Sequence, residues 1–510
     1  MSLIYKKVKD NAYQFPNKIA IILDDGKSLT YAQLINLVNI KIASLQEKIG
    51  FTGCTVAFCI EEGVNIPIIS LSLNALNATL VPLNPSLKYS QLDFLLKSVD
   101  VDILLVDSST CNLFGKTNIL VINIDLLKEN SDTSLNVLRE YCANYKYDQF
   151  IITLSSGSTG DPKPIVFSEQ NKIKRSNQAI EIFDIDSNDV VLCASPFFHS
   201  LGQRLTFLPL LIGGTLVQLK YFNINNWVHA VNKYRVTFTI PVSTHLHAVA
   251  DYLINYPEKF KSLKSIVSSS ATIDKDVKLN LFSKLSCNFY EMYGASEIAT
   301  ATVIDKHQLT NKPNSVGLPC TGVKIKIVDN DFIECSQMTI GKIVVKSPLV
   351  AGYYKLDKVT KNSFIDDYFI TGDLGYIDKD GYLYFVDREK DIIITGGVNI
   401  YPSDIEWHIN NIKHVETCVV VGIKDLYLGE AIVAVVVSKE KDRSMLEENI
   451  RSSLRKNLSS NQQPIKYFFR DTVPFNHSGK VDRKSIQIEI DLLGLDLTKR
   501  LRQIYSTPTN

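Results

Sequence analysis

The stretch Leu154-Ser155-Ser156-Gly157-Ser158-Thr159-Gly160-Asp161-Pro162-Lys163 offers the densest run of chemically usable groups in the chain. Four hydroxyl side chains, two glycines and a lysine occur with no bulky residue among them after Leu154. Glycine lets a backbone approach a ligand closely and reach positive φ. The freed N–H groups and the hydroxyls can wrap an anion, and Lys163 adds charge. This is the composition of a polyphosphate loop. The order GxxxxGK[ST] of a Walker A loop is absent, and Pro162 beside the lysine opposes a helix start of the Walker kind. The same residues also fit a solvated turn between strands. The apolar run Phe150 to Leu154 leading into them reads as a buried strand.

Four further stretches carry candidate chemistry. In Tyr290-Glu291-Met292-Tyr293-Gly294-Ala295-Ser296-Glu297, an aromatic ring offers a flat face to a purine. Gly294 leaves the backbone room, Ser296 can donate to a phosphate, and Glu297 is a hard oxygen ligand of the Mg²⁺ type. A strand-to-helix turn with a capping serine is an equal reading of those residues. Phe369-Ile370-Thr371-Gly372-Asp373 reads as a strand ending in a carboxylate, either turn-forming or able to accept both hydroxyls of a ribose. Pro196-Phe197-Phe198-His199-Ser200-Leu201-Gly202 follows the strand Asp189–Ser195, and ligand sites lie beyond the carboxyl ends of parallel strands. His199 is a ligand group there or a satisfied structural histidine. Gly479-Lys480 puts a lysine on a polar loop, as a deliverable charge or an ordinary surface residue.

The elements that position these groups alternate. Thr55–Ile60, Thr79–Leu83 and Val101–Val106 read as strands, and Tyr31–Gly50 and Gln91–Val99 as helices, which implies a parallel sheet covered on both faces. Val236–Ile240 is a β-branched strand, and Ser243 after it reads as a helix cap, with His245 two residues on. Lys379-Asp380-Gly381 marks a hairpin. Ser403-Asp404-Ile405-Glu406 reads as an N-capped helix start. Val415–Val421 and Ala431–Ser438 read as strands and Ser444–Leu458 as an amphipathic helix, a small α+β unit.

With 510 residues the chain exceeds one core, so two or more domains are expected. A formal net charge of +1 gives no electrostatic case for nucleic acid or an anionic membrane. Nine scattered cysteines without a CxxC pair argue against structural zinc and a disulfide framework, and point to a reducing, cytoplasmic setting. No signal peptide is visible. Asn74, Asn77 and Pro82 interrupt the longest apolar stretch, Ile66 to Leu83, so no membrane span is expected. Sequence leaves the oligomeric state open.

Taken in order, these motifs resemble those of the adenylate-forming superfamily: acyl-CoA synthetases, adenylation domains of non-ribosomal peptide synthetases, and luciferases. The resemblance implies an α/β fold, with a large N-terminal domain (1–388) of doubly wound sheets and a small β-barrel part. A small mobile α+β C-terminal domain (389–510) follows a hinge at 388–391, with Lys390 as pivot. It assigns Ser155, Ser156, Gly157, Ser158, Thr159, Gly160 and Lys163 to the β- and γ-phosphates of ATP. Ser269, Ser270 and Ala271 would lie under the adenine, where relatives usually carry glycines, with Tyr293 and Gly294 beside it. Ser296 would face the α-phosphate, Glu297 would hold Mg²⁺, and Asp373 and Arg388 would bind the ribose. Gly396 and Gly397 would meet the thiol, and Lys480 would touch the substrate carboxylate and α-phosphate. Pro164 departs from the usual Gly or Ala. His199 would line the acid pocket where amino-acid-activating domains usually carry Asp, so the acid is expected to lack an α-amino group. The implied catalytic set is Lys480, His199, Ser296 and Glu297. The implied reaction is adenylation of a small-molecule carboxylic acid, whether aryl, short-chain or long-chain, then transfer to coenzyme A. A free carrier protein's phosphopantetheine is the alternative acceptor, and a catalytically inactive nucleotide-binding protein a weaker alternative.

Overall fold

The structure, a computed structural model, describes residues 2–49, 53–86, 89–114, 118–127, 149–154, 163–269, 273, 275–425, 428–475 and 481–494. The chain divides into two compact units, the first formed by residues 1–324 and 345–369 and the second by 325–344 and 370–510.

Two sheets organise the first unit. One is six-stranded, with Thr55–Cys59, Thr79–Pro82 and Ile103–Val106 at its centre in parallel pairing. These are the β-branched runs legible in the sequence, and all but Thr55 are buried, as in a parallel sheet covered on both faces. Its edge is a hairpin: Ile151–Leu154 pairs antiparallel with Pro164–Phe167, Leu154 opposite Pro164. Pro164 thus opens an edge strand, a position where a missing N–H removes no ladder bond. The other sheet is nine-stranded. Within it Thr215–Gln218, Val190–Cys193, Phe238–Thr239, Ser265–Ser268 and Asn288–Ala295 run parallel, and Ala299–Asp305 turns back antiparallel on Asn288–Ala295. The Tyr290–Glu297 motif is therefore strand, turn, strand, with no helix after it.

Two expectations about helix starts are corrected. The helix Ser243–Asn255 begins at Ser243 itself, with Val242 at the cap and no side-chain cap bond. The Ser243 N–H donates to the Ser269 carbonyl at 3.1 Å instead, tying the helix to the neighbouring strand end. In the second unit the helix Pro402–Asn410 starts before Ser403, with proline in its first turn and Tyr401 at the cap. Its capping acceptor comes from another element: Asp387 Oδ2 accepts the Ser403 N–H at 3.1 Å, and Ser403 Oγ donates to the Val386 carbonyl.

The second unit also holds two sheets. In one, Lys324–Val328, Gly341–Lys346 and Tyr368–Ile377 lie side by side, with Leu383–Arg388 paired to the last, and the chain passes between units within three of these strands. In the other, Thr417–Asp425 and Gly429–Val437 pair along their whole length. Val419 and Val421 join Ile486 and Ile490 in one buried cluster, whereas Val420 joins Ile405, Ile450 and Leu454 in another. Successive side chains of one strand thus supply two cores, the period-two pattern of a sheet covered on both sides. Arg483 closes this unit. Its guanidinium makes a bidentate pair with Glu406, at 2.5 and 2.8 Å, and donates to the Val420 carbonyl at 2.7 Å. Burial opposes its charge, but Glu406, then Asp391, outweigh it and hold the guanidinium more firmly protonated than usual.

Candidate active site

Two sequence-predicted groups of the first unit, Lys163 and Glu297, converge on a residue that sequence reasoning missed. Tyr353 Oη donates to Glu297 Oε1 at 2.9 Å, and Lys163 Nζ lies 5.3 Å from the centroid of the same ring. One tyrosine therefore brings Lys163 and the Glu297 carboxylate together. Burial, then the Glu297 charge, push the phenol far above its usual range, so it acts as a fixed donor. Ser155 to Gly160 lie outside the described residues, as do Ser270 and Ala271; Ser269 is buried, its carbonyl engaged as above.

The turn bearing Ser296 and Glu297 is braced from behind. Arg175 donates to the carbonyls of Ser296 (2.6 Å), Glu297 (2.9 Å) and Leu349 (2.6 Å), and the Ala351 N–H adds a second bond to the Glu297 carbonyl. The two glutamates of the motif differ. Glu291 is buried against Lys278 at 2.5 Å, and burial lifts its carboxyl above the usual range with Lys278 opposing; Glu297 is partly exposed. Gly294 is required by close approach, because a Cβ there would sit 2.0 Å from the Ala299 carbonyl oxygen. Tyr293 is partly buried beside it.

His199 caps the helix Ser200–Ile212 with its backbone, and its imidazole meets Phe198 edge-on. The turn carrying it is pinned by Glu62, whose Oε1 accepts the Phe197 N–H at 2.6 Å. Burial raises the Glu62 carboxyl to about 7, the Phe197 N–H opposing. His245 stacks on Phe222 at 3.7 Å, and burial lowers it to about 4, so it is neutral.

In the second unit the strand expected to end at Asp373 runs on to Ile377, with Gly372 at φ 73° inside it. Asp373 stands opposite Arg388 in the ladder, and its carboxylate pairs with Arg388 Nε at 3.0 Å, so the two residues assigned to a ribose are adjacent. Lys390 lies in the 3₁₀ turn Glu389–Asp391. Gly396 and Gly397 form the two-residue turn of a hairpin in which Thr395 pairs with Val398. Both have positive φ, 56° and 80°, as a type I′ turn demands, so turn geometry alone accounts for these glycines. Lys480 lies outside the described residues; the flanking Phe475 and Val481 form an antiparallel bridge.

Two α/β units, one built on a pair of largely parallel sheets with Glu297 and Lys163 held on either side of Tyr353, fit the adenylate-forming class. The chain belongs to the AMP-binding enzymes: that family's model matches residues 8–355, and the model of the AMP-binding enzyme C-terminal domain matches 404–480. It is 28% identical over 480 residues to a 2-succinylbenzoate–CoA ligase of Oceanobacillus iheyensis, covering 92% of this chain and 96% of that one. Among solved structures it resembles the o-succinylbenzoate CoA synthetase of Bacillus subtilis in complex with its acyl-adenylate intermediate, with TM-score 0.82 and 25% identity over 94% of this chain and 97% of that one. ATP-bound MatB of Rhodopseudomonas palustris gives TM-score 0.83 and 25% identity over 97% and 100%. No helix among the described residues is long and apolar enough to cross a membrane.

Proposed function

We propose that the chain activates a carboxylic acid with ATP, forming an acyl-adenylate and pyrophosphate, and then transfers the acyl group to the thiol of coenzyme A. The observation that carries this reading is the Lys163–Tyr353–Glu297 cluster. A carboxylate is already ionised at neutral pH, so its attack on the α-phosphorus needs no general base. Catalysis is then positioning and charge neutralisation. Lys163 and Lys480 supply protein charge. Glu297 fits a Mg²⁺ ligand: Oε1 is fixed by Tyr353, the side chain is partly exposed, and Mg²⁺ in ATP sites takes one or two carboxylates besides the phosphates. When bound, the ion neutralises phosphate charge.

Asp373 and Arg388 are assigned to the ribose. His199 in place of a carboxylate disfavours an ammonium group, so the acid is one without an α-amino group. We place the working hinge at 388–391, dividing 1–388 from 389–510, with Lys390 as pivot and Gly396-Gly397 as the turn presented to the thiol arm. The eight described cysteines are all free, which fits a cytoplasmic enzyme. Incubating the purified chain with ATP, Mg²⁺, an accepted acid and either coenzyme A or a phosphopantetheinylated carrier, then weighing the products, tests the acceptor. Acyl-CoA is expected; acylated carrier with no acyl-CoA would move the chain to the carrier-loading enzymes.

A further inference from the structure

The bonds of Ser403 join residues on opposite sides of the hinge proposed at 388–391. Its N–H donates to Asp387 Oδ2 at 3.1 Å, and its Oγ donates to the Val386 carbonyl at 3.1 Å. Val386 and Asp387 belong to the strand Leu383–Arg388, before the hinge; Ser403 lies in the first turn of the helix Pro402–Asn410, after it. Asp387 is 5% exposed, and its other oxygen accepts the Arg388 N–H at 2.8 Å, which fixes the carboxylate. The first N–H groups of a helix have no partner inside it, and Tyr401 at the cap supplies no side-chain bond. Asp387 therefore caps this helix from across the hinge. A further pair reaches the hinge turn itself: Lys342 Nζ, on the strand Gly341–Lys346, lies 2.9 Å from Glu389 Oε1. All these residues belong to one compact unit.

The flank of Lys480 lies on the same side. Arg483 Nε is 4.0 Å from Asp391 Oδ2 in the hinge turn. Burial opposes the Arg483 charge, while Glu406, Asp391 and then Asp387 favour it. Burial likewise lowers Lys390, whose charged neighbours are Asp391, Arg388, Asp373 and Lys484. Arg483 thus stands within electrostatic reach of Asp387, and Lys390 feels both Lys484 and the pair assigned to the ribose. The position held by the Ser403 bonds is one that brings the flank of Lys480 toward the nucleotide residues, as adenylation requires. We infer that Asp387 and Ser403 are positioning residues for adenylation: their bonds latch the hinge in the adenylating position and break before the thiol arm is presented. This rests on the hinge reading above. Because the pivot lies between Asp387 and Ser403 in the chain, rotation there parts the two and leaves the helix Pro402–Asn410 without its cap.

The test measures each half-reaction alone in the full-length chain, with an acid accepted in pyrophosphate exchange. Adenylation is followed as pyrophosphate released without coenzyme A, and thioester formation from added acyl-adenylate and coenzyme A. Each rate scales with the population of its own position, so their ratio follows the equilibrium between the two. Ser403→Ala removes one bond and should raise the ratio of thioester formation to adenylation about 2–10-fold, the range for a single hydrogen bond. Asp387→Ala should raise it about 5-fold, as for a lost helix cap. Ser403→Thr and Asp387→Asn keep the hydroxyl and the accepting oxygen, and should return the ratio to the wild-type value. A ratio unchanged or lowered in the alanine variants, with both steps slowed equally as the plain structural outcome, would overturn the latch. The hinge reading survives that result if Lys390→Pro adenylates but fails to form thioester. Normal turnover in Lys390→Pro would remove hinge and latch together. If Asp387→Ala fails to fold, Ser403→Ala alone decides.

Discussion

Tyr353 gives its ring to a lysine and its hydroxyl to a carboxylate, and each interaction is separable by substitution. Tyr353→Phe keeps the ring beside Lys163 and removes the bond to Glu297 Oε1. A hydrogen bond to a charged group contributes about 1.5–3 kcal/mol. With Glu297 partly exposed, the lower end applies, so adenylation should fall about 10-fold and need more Mg²⁺ for half-saturation. An unchanged Mg²⁺ dependence in pyrophosphate exchange would separate Tyr353 from the metal role. Lys163 and Glu297 were legible in the sequence because hydroxyls, glycines and charges crowd into short stretches. Tyr353 was not, because it reaches the site only through the fold. Arg175 did leave a signal: a cation at helical spacing on the stripe shared with Ala179 and Phe183.

At the scale of elements, strands were legible wherever β-branched runs are buried on both faces, as in Thr55–Cys59 and Thr79–Pro82. Helix starts were misread where the capping group is supplied from elsewhere, as Asp387 does for Pro402–Asn410. The turn carrying His199 depends on such a distant group, Glu62, and this sets a pH dependence. Burial raises the Glu62 carboxyl from 4.5 to about 7. Between those values the folded state keeps a proton that the unfolded state has released, so stability falls as pH rises through that window. Above pH 7 both states are ionised and the folded one carries a buried charge. Glu62→Gln should therefore match the wild type below pH 4.5 and exceed it by roughly 3 kcal/mol at pH 8. Thermal melting at the two pH values checks this; a constant difference between the proteins would show that Glu62 does not titrate there.

At the scale of the whole molecule, the proposed function assigns the two half-reactions to different parts of the C-terminal region, and on that assignment mutations should separate them. Lys480→Ala should slow adenylation on the order of 10²–10³-fold, like removal of one preorganised donor, and leave thioester formation from added acyl-adenylate nearly intact. Lys390→Pro should do the reverse, because a fixed φ at the proposed pivot would block rotation; adenylate would form and stay bound. Equal slowing of both steps by Lys480→Ala, or normal turnover in Lys390→Pro, would contradict the two-conformation mechanism. That the chain forms more than one unit was legible from its length. How contacts partition the chain was not, since residues 325–344 cluster with the later unit through strand pairing.

Acid-dependent exchange of labelled pyrophosphate into ATP, with Mg²⁺ and without coenzyme A, tests acid activation most directly. A panel of aryl, short-chain and long-chain acids, with the amino acids as controls, covers the substrate classes at issue. The account predicts exchange with at least one carboxylic acid, none with proteinogenic amino acids, and loss of exchange in Glu297→Gln. Robust exchange with an amino acid and none with any simple acid, or ATP binding with no exchange across the panel, would contradict it.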